Sequence, residues 1–328
     1  MSGLRPRGAI GATALVLVFV CDVACTRVNP AFHASSSGTG DDTVDAESGS
    51  EDGGCACEMV EPCADEEALL SWEAVGLGCE ARPVYQPARL SGDGAIKILA
   101  GLGEGGFYDP TQGSKLLAMG TGLIDTLVDP AIDCVAMSTN FGEAFALGLE
   151  LPPPINPVDV EGDCESDPSL IGSGDCSNTI QTQFTYNAFD YAEVRFSAEA
   201  PQGADGVELD FAFLTSEYPL FIGSAFNDMF IIWLESEHWT GNTAFDSDGN
   251  AIAVDSVKLD YMDDTLDHPA FTGTCMVGHG GTAWLTASGP VEPGEEITMV
   301  VAIWDGRDAI YDAFALVDGF RWVCGACG

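Results

Sequence analysis

The sequence predicts a mainly β protein, an antiparallel β-sandwich of jelly-roll type with a small disulfide-rich N-terminal appendage. Three features carry that expectation. Val207, Leu209, Phe211 and Phe213 alternate with Glu208, Asp210 and Ala212, the period of a half-buried strand. Met229 to Leu234 is a continuous apolar run, as a strand covered on both faces requires. From Ala192 to Val323 such segments follow one another with turn residues and no strong helix between them, the pattern of an antiparallel sandwich.

At the N-terminus, Arg5 and Arg7 precede an apolar run from Ala9 to Val20, short for a membrane span and shaped like an export signal. Two cysteines compete for a lipoprotein cleavage site. Cys21 follows the bulky Val20, whereas Cys25 follows Val23-Ala24 and is the expected lipidation site, with a signal peptide over residues 1–24. Asp22 is an unusual residue three places before that cysteine, so ordinary cleavage without a lipid stands as the alternative. Thr26, where an Asp would resemble an inner-membrane retention signal, points to the outer membrane or the cell surface. With the last predicted strand ending close to Gly328, the expected anchor is N-terminal.

Residues 25–54 then form a flexible acidic tether, because His33 to Gly54 is Ser, Gly, Thr, Asp and Glu with almost nothing apolar to offset ordering entropy. His33 is a solvated side chain there. Ten cysteines remain beyond Cys21 and Cys25, an even number in an oxidising compartment, and this favours disulfides. Cys55, Cys57, Cys63 and Cys79 read as a local knot within a small Cys-rich segment, residues 55–91. That segment holds one short helix from Asp65 to Val75, capped by Asp65, with Glu66 and Glu67 at the positive end of its dipole and Gly76 as its stop.

Residues 92–328 are the expected sandwich domain; about 270 residues follow the tether, enough for a substantial core. Ile96–Leu99 and Leu116–Met119 flank a glycine-rich stretch at Gly101, Gly103, Gly105 and Gly106. It lacks Gly-Lys-Ser/Thr and does not fit a dinucleotide fingerprint, so it reads as a turn-rich β segment. Leu151-Pro152-Pro153-Pro154 opens a surface insertion that leads into a loop of Gly, Ser, Asp and Pro flanked by Cys164 and Cys176, the expected disulfide pair. Strands follow over Ala192–Ala198, Val207–Leu214, Met229–Leu234, Ile252–Leu259, Thr282–Ala287, Ile297–Trp304 and Phe314–Val323, with Pro293-Gly294 as a turn. Cys324 and Cys327 read as a structural disulfide, since no second Cys-x-x-Cys completes a zinc site. No internal repeat is visible.

The formal charge of −41, with only 11 Lys and Arg, disfavours recognition of nucleic acid or an anionic membrane through a basic patch. Cations are the natural partners, although most of these carboxylates read as a solvated surface. The chain has no Gly-x-Ser-x-Gly elbow and no His-Glu-x-x-His, and only His238, His268 and His279 lie in its folded part, so no enzyme is expected. His279, set among Gly278, Gly280 and Gly281, reads as a turn histidine bonded to backbone.

The connection after Leu214 holds Ser216-Glu217-Tyr218-Pro219 and then Phe226-Asn227-Asp228, and the stretch before the last strand reads Asp305-Gly306-Arg307-Asp308-Ala309-Ile310-Tyr311-Asp312-Ala313. These segments resemble the two hallmarks of the choice-of-anchor L domain, an extracellular bacterial β-domain, over roughly Asp93 to Trp322 and most specifically after Thr179. Ala309 and Ala313 stand where the family has serines, and the second Glu of its first motif is absent, so the roles of those three side chains do not carry over. The resemblance implies a surface-held β-domain and brings no particular activity.

Glu217, Asn227, Asp228, Asp305, Asp308 and Asp312 offer the hard oxygens that calcium takes from more than one loop, which makes calcium the expected cofactor. The same side chains also suit turn caps bonded to backbone amides, and both readings stand. Asp246-Ser247-Asp248-Gly249-Asn250 echoes half an EF-hand loop, but Val257 takes the position of the bidentate Glu, so it reads as a turn.

The expected function is that of a non-catalytic, lipid-anchored surface protein presenting a rigid sandwich for binding or adhesion to a surface glycan or protein ligand. The alternative is a carbohydrate-active enzyme of glycosidase type on the same scaffold. A groove of exposed Trp or Tyr beside two facing acids would mark that alternative. Strand-core positions account for most of Trp233, Trp239, Trp284, Trp304 and Trp322.

Overall fold

The computed structural model describes residues 71–77, 94–128, 134, 150–157, 164, 167–171, 176, 180, 188–224, 226–254, 261–262 and 269–324. The signal sequence, Cys25, the tether, Cys55, Cys57, Cys63, Cys79, Cys327 and His268 lie outside the described residues. In chain order the strands are β1 (Ile96–Leu99), β2 (Leu116–Gly120), β3 (Ala188–Glu199), β4 (Ala204–Thr215), β5 (Met229–Glu235) and β6 (Thr240–Asn242). Then come β7 (Tyr261–Met262), β8 (Gly280–Gly281), β9 (Leu285–Pro290), β10 (Glu296–Gly306) and β11 (Ala313–Cys324).

The fold is mainly β and its strand pairs are antiparallel. One sheet runs β1-β2-β11-β4-β8-β7, with β9 sharing the β4 edge beside β8, and the other runs β3-β10-β5-β6. Alternation decides what each strand contributes between the sheets. Val207, Leu209, Phe211 and Phe213 of β4 and Ala313, Ala315 and Val317 of β11 meet Phe230, Ile232 and Leu234 of β5 and Ile297, Met299, Val301 and Ile303 of β10 in one buried cluster. The opposite face of the first sheet, with Ala212, Leu214, Phe314 and Leu316, is roofed by Tyr108, Ile124, Leu127, Phe271 and Met276. That double cover explains why β2 and β11 read as apolar runs rather than as alternation.

The second sheet also has a covered outer face. Trp233, Trp304 and Tyr191 lie there beneath Leu151, Ile155 and Ile180. The Leu151-Pro152-Pro153-Pro154 segment is therefore not merely a surface insertion, because two large indoles need an apolar lid. Of the helix expected over Asp65–Val75, residues 65–70 lie outside the described residues; Ser71–Ala74 form α1, with the Gly76 amide bonded to the Glu73 carbonyl and Gly76 at φ 94°. Two other expectations change in detail. Of the strand expected at Ile252–Leu259, the described residues 252–254 and the preceding Ala251 make single bridges at Ala251 and Ala253 rather than a ladder, although Ile252 joins the core; residues 255–260 lie outside the description. The strand expected at Thr282–Ala287 is split into β8 and β9, with the Thr282 hydroxyl accepting the Phe213 amide at 3.0 Å between them.

Cys164 and Cys176 form a disulfide with Cα atoms 5.2 Å apart, and a second joins Cys134 to Cys275. Cys324 is also disulfide-bonded. Asp246 closes its turn by accepting the amides of Asp248 and Asn250 at 2.9 and 2.8 Å, the arrangement expected of a turn.

Candidate functional site

Strand register brings the acids together. Met229 of β5 pairs with Trp304 of β10, which sets Asp228 beside Asp305. Asp305 in turn pairs with Phe189 of β3, just past a register shift in β10, and this brings up Asp190. On the other sheet, Thr215 of β4 pairs with Ala313 of β11, placing Ser216 and Glu217 next to Asp312. Gly120 of β2 pairs with Phe314, so Thr121 and Gly122 arrive at the same end of the sandwich.

Loop contacts lock this arrangement. The Ser216 amide and hydroxyl donate to the Asp312 carbonyl at 3.1 and 2.8 Å, and the Ala313 amide donates to the Thr121 hydroxyl at 2.9 Å. The Gly306 amide donates to Asp228 Oδ1 at 3.3 Å. Two close approaches leave no room for a Cβ: one at Gly122 would overlap the Asp312 carboxylate, and one at Gly306 would overlap the Asn227 backbone. The connection between β4 and β5 is stiffened by Phe221, whose ring stands 4.8 Å from Tyr311 and 5.8 Å from Phe226.

Glu217, Asp228, Asp305 and Asp312 are all buried, at 2, 1, 1 and 4 % exposure. Four of their oxygens, Asp228 Oδ2, both of Asp305 and Asp312 Oδ2, have no hydrogen-bond partner among the described residues. Thr121 lies close enough to Asp305 to favour its charged form without reaching hydrogen-bond geometry. Burial pushes the Asp305 carboxyl well above the usual carboxylate range, and the charged groups acting on it, Asp228, Asp312 and Asp190, push it the same way. Asp228 is raised by burial and by Glu217 against the pull of the Gly306 amide. Asp312 is pushed up to about 8 by burial and by Asp190, and Asp190 itself to about 6 by burial. Such groups either hold protons or hold a cation.

Backbone conformation marks the same place. The described non-glycine residues with left-handed φ are Asp190 at 46°, Arg307 at 90° and Tyr311 at 72°, and all three belong to the segments that build this site. Strain of this kind persists where surrounding contacts impose it.

Of the six expected ligand residues, the structure therefore gathers Glu217, Asp228, Asp305 and Asp312. Asp308 is half-buried, and its Oδ1 accepts the Ile310 amide at 3.1 Å, so it caps its own turn at the rim while adding repulsion at Asp228. Asn227 is half-buried, with its backbone against Gly306. Asp190, Thr121 and Gly122 were not expected. Among the described residues no three His, Cys, Asp or Glu side chains stand in a preformed metal-ligand arrangement. His279 Nδ1 bonds the Tyr218 carbonyl at 3.2 Å, the turn role expected of it, and burial holds its pKa below the ordinary histidine value.

At the other end of β4 lies a cleft of about 300 Å³, lined by Asp205, Glu208, Trp239, Phe245, Ser288 and neighbouring residues. Arg321 grips Glu208 at 2.7 Å and Asp210 at 2.9 Å beside it. Trp239 lies half-buried against the core, with its indole N–H on the Gly241 carbonyl at 3.1 Å.

No family model, no curated protein and no solved structure matches this chain.

Proposed function

We propose that this chain is a lipid-anchored protein of the outer membrane or cell surface whose β-sandwich binds a surface glycan or protein ligand without chemical turnover. The observation that carries this reading is the cleft at the start of β4, where the aromatic Trp239 adjoins Asp205, Glu208 and Ser288. An aromatic face with a few polar groups suits the apolar face and hydroxyls of a sugar ring. The strand order supports a jelly-roll winding: β2-β11-β4-β9 opposes β3-β10-β5-β6, and the chain crosses between the two sheets as that fold requires. The choice-of-anchor L resemblance and the Cys25 signal both favour a surface location.

The cleft also gives the glycosidase alternative its best observation, two acids beside an aromatic residue. Against it, Glu208 is engaged by the Arg321 guanidinium at 2.7 Å rather than turned free into the cleft. An array of surface glycans and proteins probed with the full chain, with product analysis of every bound glycan, separates the two. Retention with unchanged glycan is expected, and Trp239→Ala weakens it by about 10- to 100-fold while keeping a cooperative unfolding transition. Release of any cleaved product overturns the binding reading. Cys25→Ser is expected to move the protein into the soluble fraction and abolish fatty-acid labelling; a variant that stays labelled places the anchor elsewhere.

A further inference from the structure

We infer that the buried acids at the far end of the sandwich form a calcium site, with Asp228, Asp305 and Asp312 as its principal ligands, Glu217 completing the set and Asp190 at its edge. This site stands on the arrangement of the acids and is independent of any ligand in the Trp239 cleft. Its strongest support is the Asp305 carboxylate, 1 % exposed with neither oxygen hydrogen-bonded among the described residues, directed among acids. Unpartnered oxygens of Asp228 and Asp312 share its surroundings. An uncompensated buried carboxylate is among the costliest groups a fold can hold, and several together repel one another.

The donor set selects the ion. Every donor is a hard oxygen, and the nearby histidine, His279, is turned to the Tyr218 carbonyl. Oxygen-only donors on several loops suit calcium, which accepts irregular shells of six to eight ligands, better than zinc or the strictly octahedral magnesium. The side chains are not spaced as a finished shell, so the ion draws the carboxylates inward as it neutralises them. Asp305 lies in β10 and Asp228 immediately precedes β5 of the same sheet, whereas Glu217 follows β4 and Asp312 immediately precedes β11 of the other. The ion therefore clamps the two sheets together at this end and fixes the connection between β4 and β5.

The test is thermal unfolding of the full chain, stripped with chelator, at pH 7.5 in chelator and in 1 mM calcium. Wild type is expected to gain about 5–10 °C with calcium, the shift for an ion present at roughly a hundred times its Kd, and less with equal magnesium. Asp305→Asn is expected to melt at or above wild type in chelator, because the amide stays neutral without the proton uptake that the buried carboxyl needs at this pH, and to lose the calcium shift. The two curves thus cross. Asp312→Asn is read in parallel, so that one misfolded variant does not remove the comparison, and the exposed Glu104→Gln keeps the full shift. A wild type indifferent to calcium, or a shift that survives in both site variants, overturns the assignment.

Discussion

Phe211→Ala lowers the unfolding free energy by about 3–5 kcal/mol, the loss typical of a large aromatic removed from a packed interior. Phe211 is fully buried between the sheets, and its ring lies 5.2 Å from that of Phe230 on the facing strand. It therefore supplies contact across the sandwich as well as within β4, and neither sheet can close over the cavity without shifting its hydrogen-bonded partners. Denaturant titration should show a lower midpoint with an unchanged slope. Phe107→Ala, at a residue 37 % exposed, should cost within about 0.5 kcal/mol. Equal losses at the two positions would mean that the inter-sheet core is not where the stability resides.

Without calcium, stability falls as pH rises from about 6 to about 8, a window in which ordinary carboxylates no longer titrate. The sign follows from the acids. Asp312 is held up at about 8 and Asp190 at about 6, against an ordinary value of 3.8, so the folded state binds protons that the unfolded chain has already released. Their contribution is fully present below about pH 4 and is lost as pH passes through the raised values. Asp228 and Asp305 are displaced in the same direction, and the groups facing them are Glu217, Asp190, Asp308 and Asp312. His279, lowered by burial, adds little above pH 6.5. Asp312→Asn should flatten the slope between pH 6 and 8, and saturating calcium should flatten it too, since the ion favours the charged carboxylates. Unfolding midpoints measured across this range in chelator check the claim; a rise in stability over the same interval would contradict it.

What could be read from the sequence divides by range. Strands β3, β4, β5, β10 and β11 were legible because alternation or an apolar run is written locally in each. The Cys164–Cys176 pair was legible because the two cysteines close a short loop, whereas Cys134 and Cys275, 141 residues apart, carry no local mark. Glu217, Asp228, Asp305 and Asp312 stood out because they lie in two recognisable segments. Asp190, Thr121 and Gly122 did not, since only the pairing of Phe189 with Asp305 and of Gly120 with Phe314 brings them in. At Asp308 a short-range bond to the Ile310 amide holds the carboxylate at the rim, a local outcome that spacing alone does not reveal.

The most direct measurement is a calorimetric titration of the stripped full chain with calcium at pH 7, in two buffers of different ionisation enthalpy. One ion should bind per chain with release of protons, because carboxyls held above their ordinary values must give them up to become ligands. The heat should therefore change with the buffer, and Asp305→Asn should abolish that event. A trace showing only the weak multiple binding of surface carboxylates, the same in wild type and Asp305→Asn, would contradict the account.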